Sequence, residues 1–226
     1  IHSVCMGGGF EVALGCHYRV AAPHCKFAFP EVRLGILPGA GGTQRLPRAI
    51  NLETALNLIV SGETVLAEML YAIKDQQLIN HLSTSAETLL DDAIRVAQAA
   101  ADTYASTKEL PKLRNLKAKH PHRDGYFHFV KTAIAAAYPK SEAAKLCVAC
   151  VEAAASQPFD QGLQVERTHF MALVASAEFR ALKHLFMAER ATAKLDLKDS
   201  QAQPIKPREI KQVGIVGGGL MGTGIA

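Results

Sequence analysis

The chain has 226 residues, of which 49% are hydrophobic and 20% charged, with a formal net charge of +4. That is enough to bury a sizeable core as one large domain or two small ones, in an ordinary globular balance. No uninterrupted apolar run of about 18 residues occurs, which excludes a membrane-spanning helix; no signal-peptide pattern opens the sequence; and so mild a charge gives no reason to expect nucleic acid.

In chain order, Ile1-His2-Ser3-Val4-Cys5 reads as a short strand. Gly7-Gly8-Gly9 turns it into a helix beginning near Glu11, which apolar Phe10, Val12, Ala13 and Leu14 surround. A strand that turns through glycines into a helix aims unpaired backbone N–H groups at whatever lies above it. Strand-like runs follow at Tyr18–Ala22 and Lys26–Phe29, split by Pro23-His24. A second carboxylate, Glu31, stands 20 positions after Glu11, inside Phe29-Pro30-Glu31-Val32-Arg33-Leu34-Gly35-Ile36-Leu37-Pro38-Gly39-Ala40-Gly41-Gly42-Thr43-Gln44. Gly41-Gly42 opens a helix toward Arg48 despite Pro47. Asn51 is the candidate N-cap of a helix to Val60, with Ala55, Leu56, Ile59 and Val60 on one face and Ser61-Gly62 as its stop. A helix over Leu66–Ile73 and a brief strand at Leu78–Ile79 come next. Ser85 is placed to cap a helix whose stripe of Leu89, Leu90, Ala93, Ile94, Ala97 and Ala101 reads as a core face. Repeated strand–helix units indicate the α/β class.

Lys108–Arg123 carries Pro111, Pro121 and five cations with no acid between them, Lys112, Arg114, Lys117, Lys119 and Arg123. It reads as a solvated linker and a domain boundary. Helices resume at Tyr126–Ala137 and after Ser141, where Ala143, Leu146, Cys147, Cys150 and Val151 share a segment. Pro158 precedes the longest helical pattern, Gly162–Lys194, with Phe170, Leu173, Val174, Ala177, Leu182, Leu185 and Phe186 as its buried face. Asp199–Lys211 reads as a flexible linker. Gln212–Val216 then reads as a strand running into G-x-G-x-x-G, formed by Gly217, Gly219 and Gly222. Such glycines allow, in turn, a tight turn, close approach of a pyrophosphate and close helix–strand packing. Five cysteines, an odd number, suit a reducing compartment. Cys147 and Cys150 lack the second ligand pair that a zinc site needs, so packing is the expected role and no metal is expected.

Two carboxylates beside glycine turns suit one chemistry. Adding water to a double bond next to a carbonyl develops negative charge on the carbonyl oxygen, which fixed N–H donors stabilise. The reaction also needs one proton taken from water and one delivered to carbon, work that two carboxylates with different surroundings can divide. Gly-Gly-Gly-Phe-Glu at 7–11 followed by Pro-Glu-Val-Arg-Leu-Gly-Ile-Leu-Pro-Gly-Ala-Gly-Gly-Thr-Gln at 30–44 resembles the enoyl-CoA hydratase/isomerase (crotonase) family, and more narrowly the hydratase part of multifunctional fatty-acid β-oxidation enzymes. The resemblance implies Glu11 and Glu31 as the catalytic pair, Gly8 as an oxyanion-hole donor and Gly39 as a backbone holder of the attacking water. The 217–222 glycines resemble the opening of an NAD-binding 3-hydroxyacyl-CoA dehydrogenase domain.

What the resemblance implies is a crotonase-like (ClpP/crotonase) α/β domain over residues 1–105, connecting helices and linker over 106–207 that pack on it, and the first strand of a Rossmann domain over 208–226. The implied activity is hydration of trans-2-enoyl-CoA to 3-hydroxyacyl-CoA, followed by NAD-dependent oxidation. If the double bond is also isomerised, Glu31 is the implied proton shuttle. The implied ligands are an acyl-CoA thioester and NAD, without metal. Bacterial cytoplasm is the first expectation for compartment and the peroxisome the alternative. The sequence does not begin with Met and ends inside a motif, so it reads as a fragment, expected to have little hydratase and no dehydrogenase activity alone. Another crotonase-type acyl-CoA reaction, such as thioester hydrolysis or decarboxylation, and a non-catalytic scaffold stay open.

Overall fold

The computed structural model describes residues 1–192 and 209–225. β1 (Val4–Met6) turns through Gly7 into α1 (Gly8–Gly15), and β2 (Val20–Ala21) and β3 (Lys26–Ala28) follow. β3 returns parallel to β1, with Cys5 opposite Phe27. A 3-10 turn over Pro30–Leu34 and a glycine loop then lead into α2 (Gly42–Ala49) and α3 (Leu52–Ser61). The Asn51 side chain caps α3 by accepting from Thr54 N at 2.8 Å, and Gly62 ends it in the left-handed conformation. β4 (Val65–Leu66) pairs antiparallel with β3, completing a sheet of order β1-β3-β4. After α4 (Ala67–Tyr71), β5 (His81–Leu82) pairs in parallel with β2 as a separate two-stranded sheet. α5 (Leu89–Thr107), a 3-10 turn over Leu113–Asn115, α6 (Arg123–Ala137), α7 (Glu142–Ser156), α8 (Phe159–Val174) and α9 (Ala177–Thr192) complete the succession up to residue 192.

Small side chains make α7 the hub. Ala143, Ala144, Cys147, Val148, Cys150 and Val151 are buried, and α7 packs against α2, α3, α6 and α8. Low side-chain bulk lets several helices approach one axis, and both thiols of the C-x-x-C fill core space. Beneath α1, Phe10 stacks on Phe29 at 4.7 Å and meets Phe27 edge-on at 5.1 Å.

Residues Ile1–Phe186 form one compact unit and Met187–Ala226 a second. The helices expected as a connecting segment from residue 106 therefore pack within the first unit. The five cations of the 112–123 segment are exposed as expected, yet buried Leu113 and Ala118 anchor the segment to the core.

Four sequence expectations need correcting. The stripe on α5 is not a core face: Leu90 and Ile94 are exposed, and Asp92 is the helix's buried residue. A 19-residue helix is about 28 Å long, and the two-residue strands β2 and β5 beside it are too short to cover it. The strand expected at Leu78–Ile79 lies at His81–Leu82, because the Gln76 side chain accepts the N–H groups of Leu78 and Ile79 at 2.6 and 2.8 Å and withholds them from a ladder. The long helix from Gly162 breaks at Ala175-Ser176, where the Ser176 hydroxyl accepts from Phe179 N and opens α9. Of its expected buried face, Leu173 is buried, while Ala177 and Leu185 are exposed.

Residues 212–216 form no strand, since no neighbouring strand among the described residues offers them a ladder; α10 (Leu220–Ile225) follows the glycines. Most of the linker expected at 199–211 lies outside the described residues, as do the last two residues of the long helical pattern.

Candidate active site

The site begins at Gly7, whose backbone adopts φ 54°, ψ −132°, a combination open to glycine and strained for other residues. Its N–H is spent on Ala28 O of β3 at 3.0 Å, and its carbonyl accepts from Phe10 N and Glu11 N to start α1. The Gly8 N–H has no partner among the described residues, as expected of the first turn of a helix. Gly8 is exposed, so this donor meets solvent.

One turn into α1, Glu11 is 6% exposed. Of the four apolar neighbours expected around it, Phe10 and Leu14 are buried, while Val12 is exposed. Its Oε1 accepts from Ala40 N at 2.7 Å and Gly42 N at 2.8 Å. The approach is close enough that a Cβ on Gly42 would lie 2.9 Å from that oxygen and 2.8 Å from the Phe29 ring. Burial raises the Glu11 pKa, against the lowering effect of the two N–H donors and of Arg45.

Glu31 comes from the 3-10 turn that Pro30 starts and Gly35 ends. Its Oε1 lies against Gly7, where a Cβ would stand 3.0 Å away. Its Oε2 is buried without a hydrogen-bond partner among the described residues. Burial pushes its pKa up to about 7, its own backbone N–H opposes this, and the charge of Glu11 adds to it. The two acids thus lie within each other's field and differ in kind. One is fixed by two peptide donors; the other has an unspent oxygen and a proton affinity near neutrality.

The loop that donates to Glu11, Gly39–Thr43, is also held by a residue that sequence reasoning missed. Glu166, on α8, is 1% exposed. Its Oε1 accepts from Gly41 N at 2.7 Å, and its Oε2 accepts from Thr43 N at 3.1 Å and pairs closely with the Thr43 hydroxyl. Burial pushes it up to about 7, opposed by the Thr43 and Gly41 donors and supported by the charge of Glu11. One signal was present in the sequence: Glu166 stands midway between Gly162 and Phe170 at i, i+4, i+8, an acid on the face that also presents Leu173. Gly39 packs under Phe170, whose ring a Cβ there would meet at 2.4 Å. The Gly39 N–H has no partner among the described residues.

Glu11, Glu31, Gly8 and Gly39 are thereby gathered around one strand–turn–helix junction and one loop. Two surface clefts among the described residues lie elsewhere: one is lined by Ile1, Tyr18, Val20 and the small residues of α5, another by Arg19, Leu110 and Leu113. Gly217, Gly219 and Gly222 are in the second unit. A Cβ on Gly222 would meet Gly217 O at 1.9 Å, the close approach that a third glycine permits. Without a strand before them, the described residues build no dinucleotide site.

Residues 1–129 match the family described as enoyl-CoA hydratase/isomerase. Along its whole length the chain is 36% identical to the peroxisomal bifunctional enzyme of Homo sapiens and 37% identical to the fatty acid oxidation complex subunit alpha of Shewanella amazonensis. It spans 30% and 31% of those relatives' lengths. Among solved structures it resembles carnitinyl-CoA hydratase from Mycobacterium avium, with a TM-score of 0.55 and 20% identity over 84% of this chain and 58% of that one. A likeness to enoyl-CoA hydratase/isomerase from Pseudoalteromonas atlantica T6c has a TM-score of 0.52 and 18% identity, over 84% and 60%. At such identities these two establish a shared crotonase-like fold.

Proposed function

The chain belongs to the enoyl-CoA hydratase/isomerase family, and from that premise we propose that it carries the carboxylate pair of a trans-2-enoyl-CoA hydratase within a bifunctional enzyme of fatty-acid β-oxidation. The observation that carries this reading is the unequal environment of two acids in one field: Glu11 held by Ala40 and Gly42 N–H, and Glu31 with a buried, unpartnered oxygen. In hydration, water oxygen bonds to C3 of the enoyl thioester, its proton passes to a carboxylate, and a proton is delivered to C2. Glu11, pinned and supplied with donors, suits orienting the water. Glu31, pushed up to about 7, suits holding and releasing the proton near neutral pH. The Gly8 N–H stabilises the thioester oxygen as charge develops there, and the Gly39 N–H supports the water.

The substrate of this reading is an acyl-CoA thioester. Gly217, Gly219 and Gly222 are read as the opening of an NAD-binding dehydrogenase part, and no oxidation step is assigned to the described residues. The domain layout of 1–105, 106–207 and 208–226 belongs to the same reading, with α7 and α8 of the connecting segment packed against α2. Five free thiols suit a reducing compartment, cytoplasm or peroxisome. The test is hydration of crotonyl-CoA by the protein with whatever natural sequence flanks this chain. Glu11→Gln and Glu31→Gln should each lower kcat by about 10²–10⁴-fold, with thioester binding retained. Near-parental rates in both would end the assignment.

A further inference from the structure

The glycine loop is held by alternate peptide groups. Ala40 N and Gly42 N donate to Glu11, and Gly41 N and Thr43 N donate to Glu166. Four consecutive N–H groups are thus shared in turn between two buried carboxylates from helices 155 positions apart in sequence. α8 reinforces the grip with one face. Gly162 makes room for Gln44, whose Oε1 would lie 2.0 Å from a Cβ there, and Phe170 covers Gly39. Gln44 in turn donates to Cys150 O and to the Thr43 hydroxyl. The loop cannot move relative to α8 without stretching the Glu166 contacts.

We propose that Glu166 is a positioning residue for Glu11: by holding the Gly41 and Thr43 peptide groups, it keeps the intervening Ala40 and Gly42 N–H groups on one oxygen of Glu11 and so fixes the direction in which that carboxylate's second oxygen is presented. This rests on the hydratase reading, in which Glu11 orients water. The carboxylate is needed for its shape and its acceptors. An amide at the same place turns an NH₂ toward one of the donors, and an alanine leaves both peptide groups unpaired in a buried setting.

The charged and titratable groups around this clamp are few. Glu11 faces it from α1 and Arg45 acts on Glu11 from α2, the charge of Glu11 acts in turn on Glu31 of the 3-10 turn, and Cys147 and Cys150 face Glu166 from α7. Burial pushes both thiols well up, Cys150 to about 12, so they stay protonated at assay pH. A displaced loop withdraws from Glu11 the two donors that favour its ionised form, and the acid limb of the rate profile moves to higher pH.

The experiment uses the protein with its natural flanking sequence and crotonyl-CoA as the probe. Glu166→Gln should fold and keep KM within about threefold of parental. Its kcat should fall at least about tenfold, misplacement by about 1 Å being worth up to about 10²-fold, and the acid limb of kcat/KM should shift upward. Glu166→Ala should do the same more strongly. A folded Glu166→Gln with parental kcat and an unmoved acid limb, in an assay where Glu11→Gln is impaired, overturns the proposal and leaves the hydratase reading standing. An unimpaired Glu11→Gln overturns both. Should Glu166→Gln not fold, Thr43→Val, which removes only the hydroxyl from the same carboxylate, should shift the acid limb in the same direction by less; no shift overturns the proposal.

Discussion

Gly39→Ala tests how α8 seats on the glycine loop. An added Cβ would lie 2.4 Å from Phe170 Cδ2 and 2.7 Å from both Cε2 and Cγ. Cγ is the root of the ring, so rotating the ring about its own axis does not clear the contact; the whole side chain or the loop must move. Gly39 is outside the left-handed region, so the penalty is steric alone. Overpacking of this kind costs about 1–3 kcal/mol, which for a chain of this size lowers Tm by roughly 2–12 °C. The same substitution in a Phe170→Ala background meets empty space and should cost under about 0.5 kcal/mol. Urea unfolding of the four proteins in a double-mutant cycle should give a coupling of about 1 kcal/mol or more, the range seen for residues in contact. Equal costs in the two backgrounds would show that Phe170 does not lie on Gly39, and the register of α8 on the loop would be wrong.

Two further predictions concern the acids. Glu31 and Glu166 are raised from an ordinary 4.5 to about 7, so between those values the folded state binds more protons than the unfolded chain. Their contribution is fully present below pH 4.5 and is lost as pH rises through about 7, on the order of 3 kcal/mol for each group taken separately. Urea midpoints at pH 5 and pH 8 should therefore fall with pH in the parent and fall less in Glu31→Gln/Glu166→Gln; parallel slopes would contradict the burial of these acids. Gly7→Ala should cost about 1–3 kcal/mol from its φ of 54° and lower kcat by pressing on Glu31 Oε1. A variant of parental stability, judged by Tm, would mean that the turn relaxes without strain.

Much of the candidate site's geometry was legible because local physics writes it locally. Gly7 is fixed by a backbone conformation that side chains resist, Glu11 sits one helical turn beyond it, and Pro30 and Gly35 bracket the turn that bears Glu31. Asn51 and Gly62 likewise declare the ends of α3 without tertiary help. Other outcomes depended on what lies alongside. Leu90 and Ile94 of α5 are exposed because two-residue strands cannot cover that helix, and residues 212–216 have strand composition but no ladder to join among the described residues. Gln76 diverts two N–H groups and moves β5 by three residues. Above all, the role of Glu166 is set by contacts across more than 120 positions of sequence. Its identity and helical spacing were readable, but periodicity records only which face of a helix is buried, not which peptide groups that face will meet, and only the packing of α8 on the glycine loop decided that.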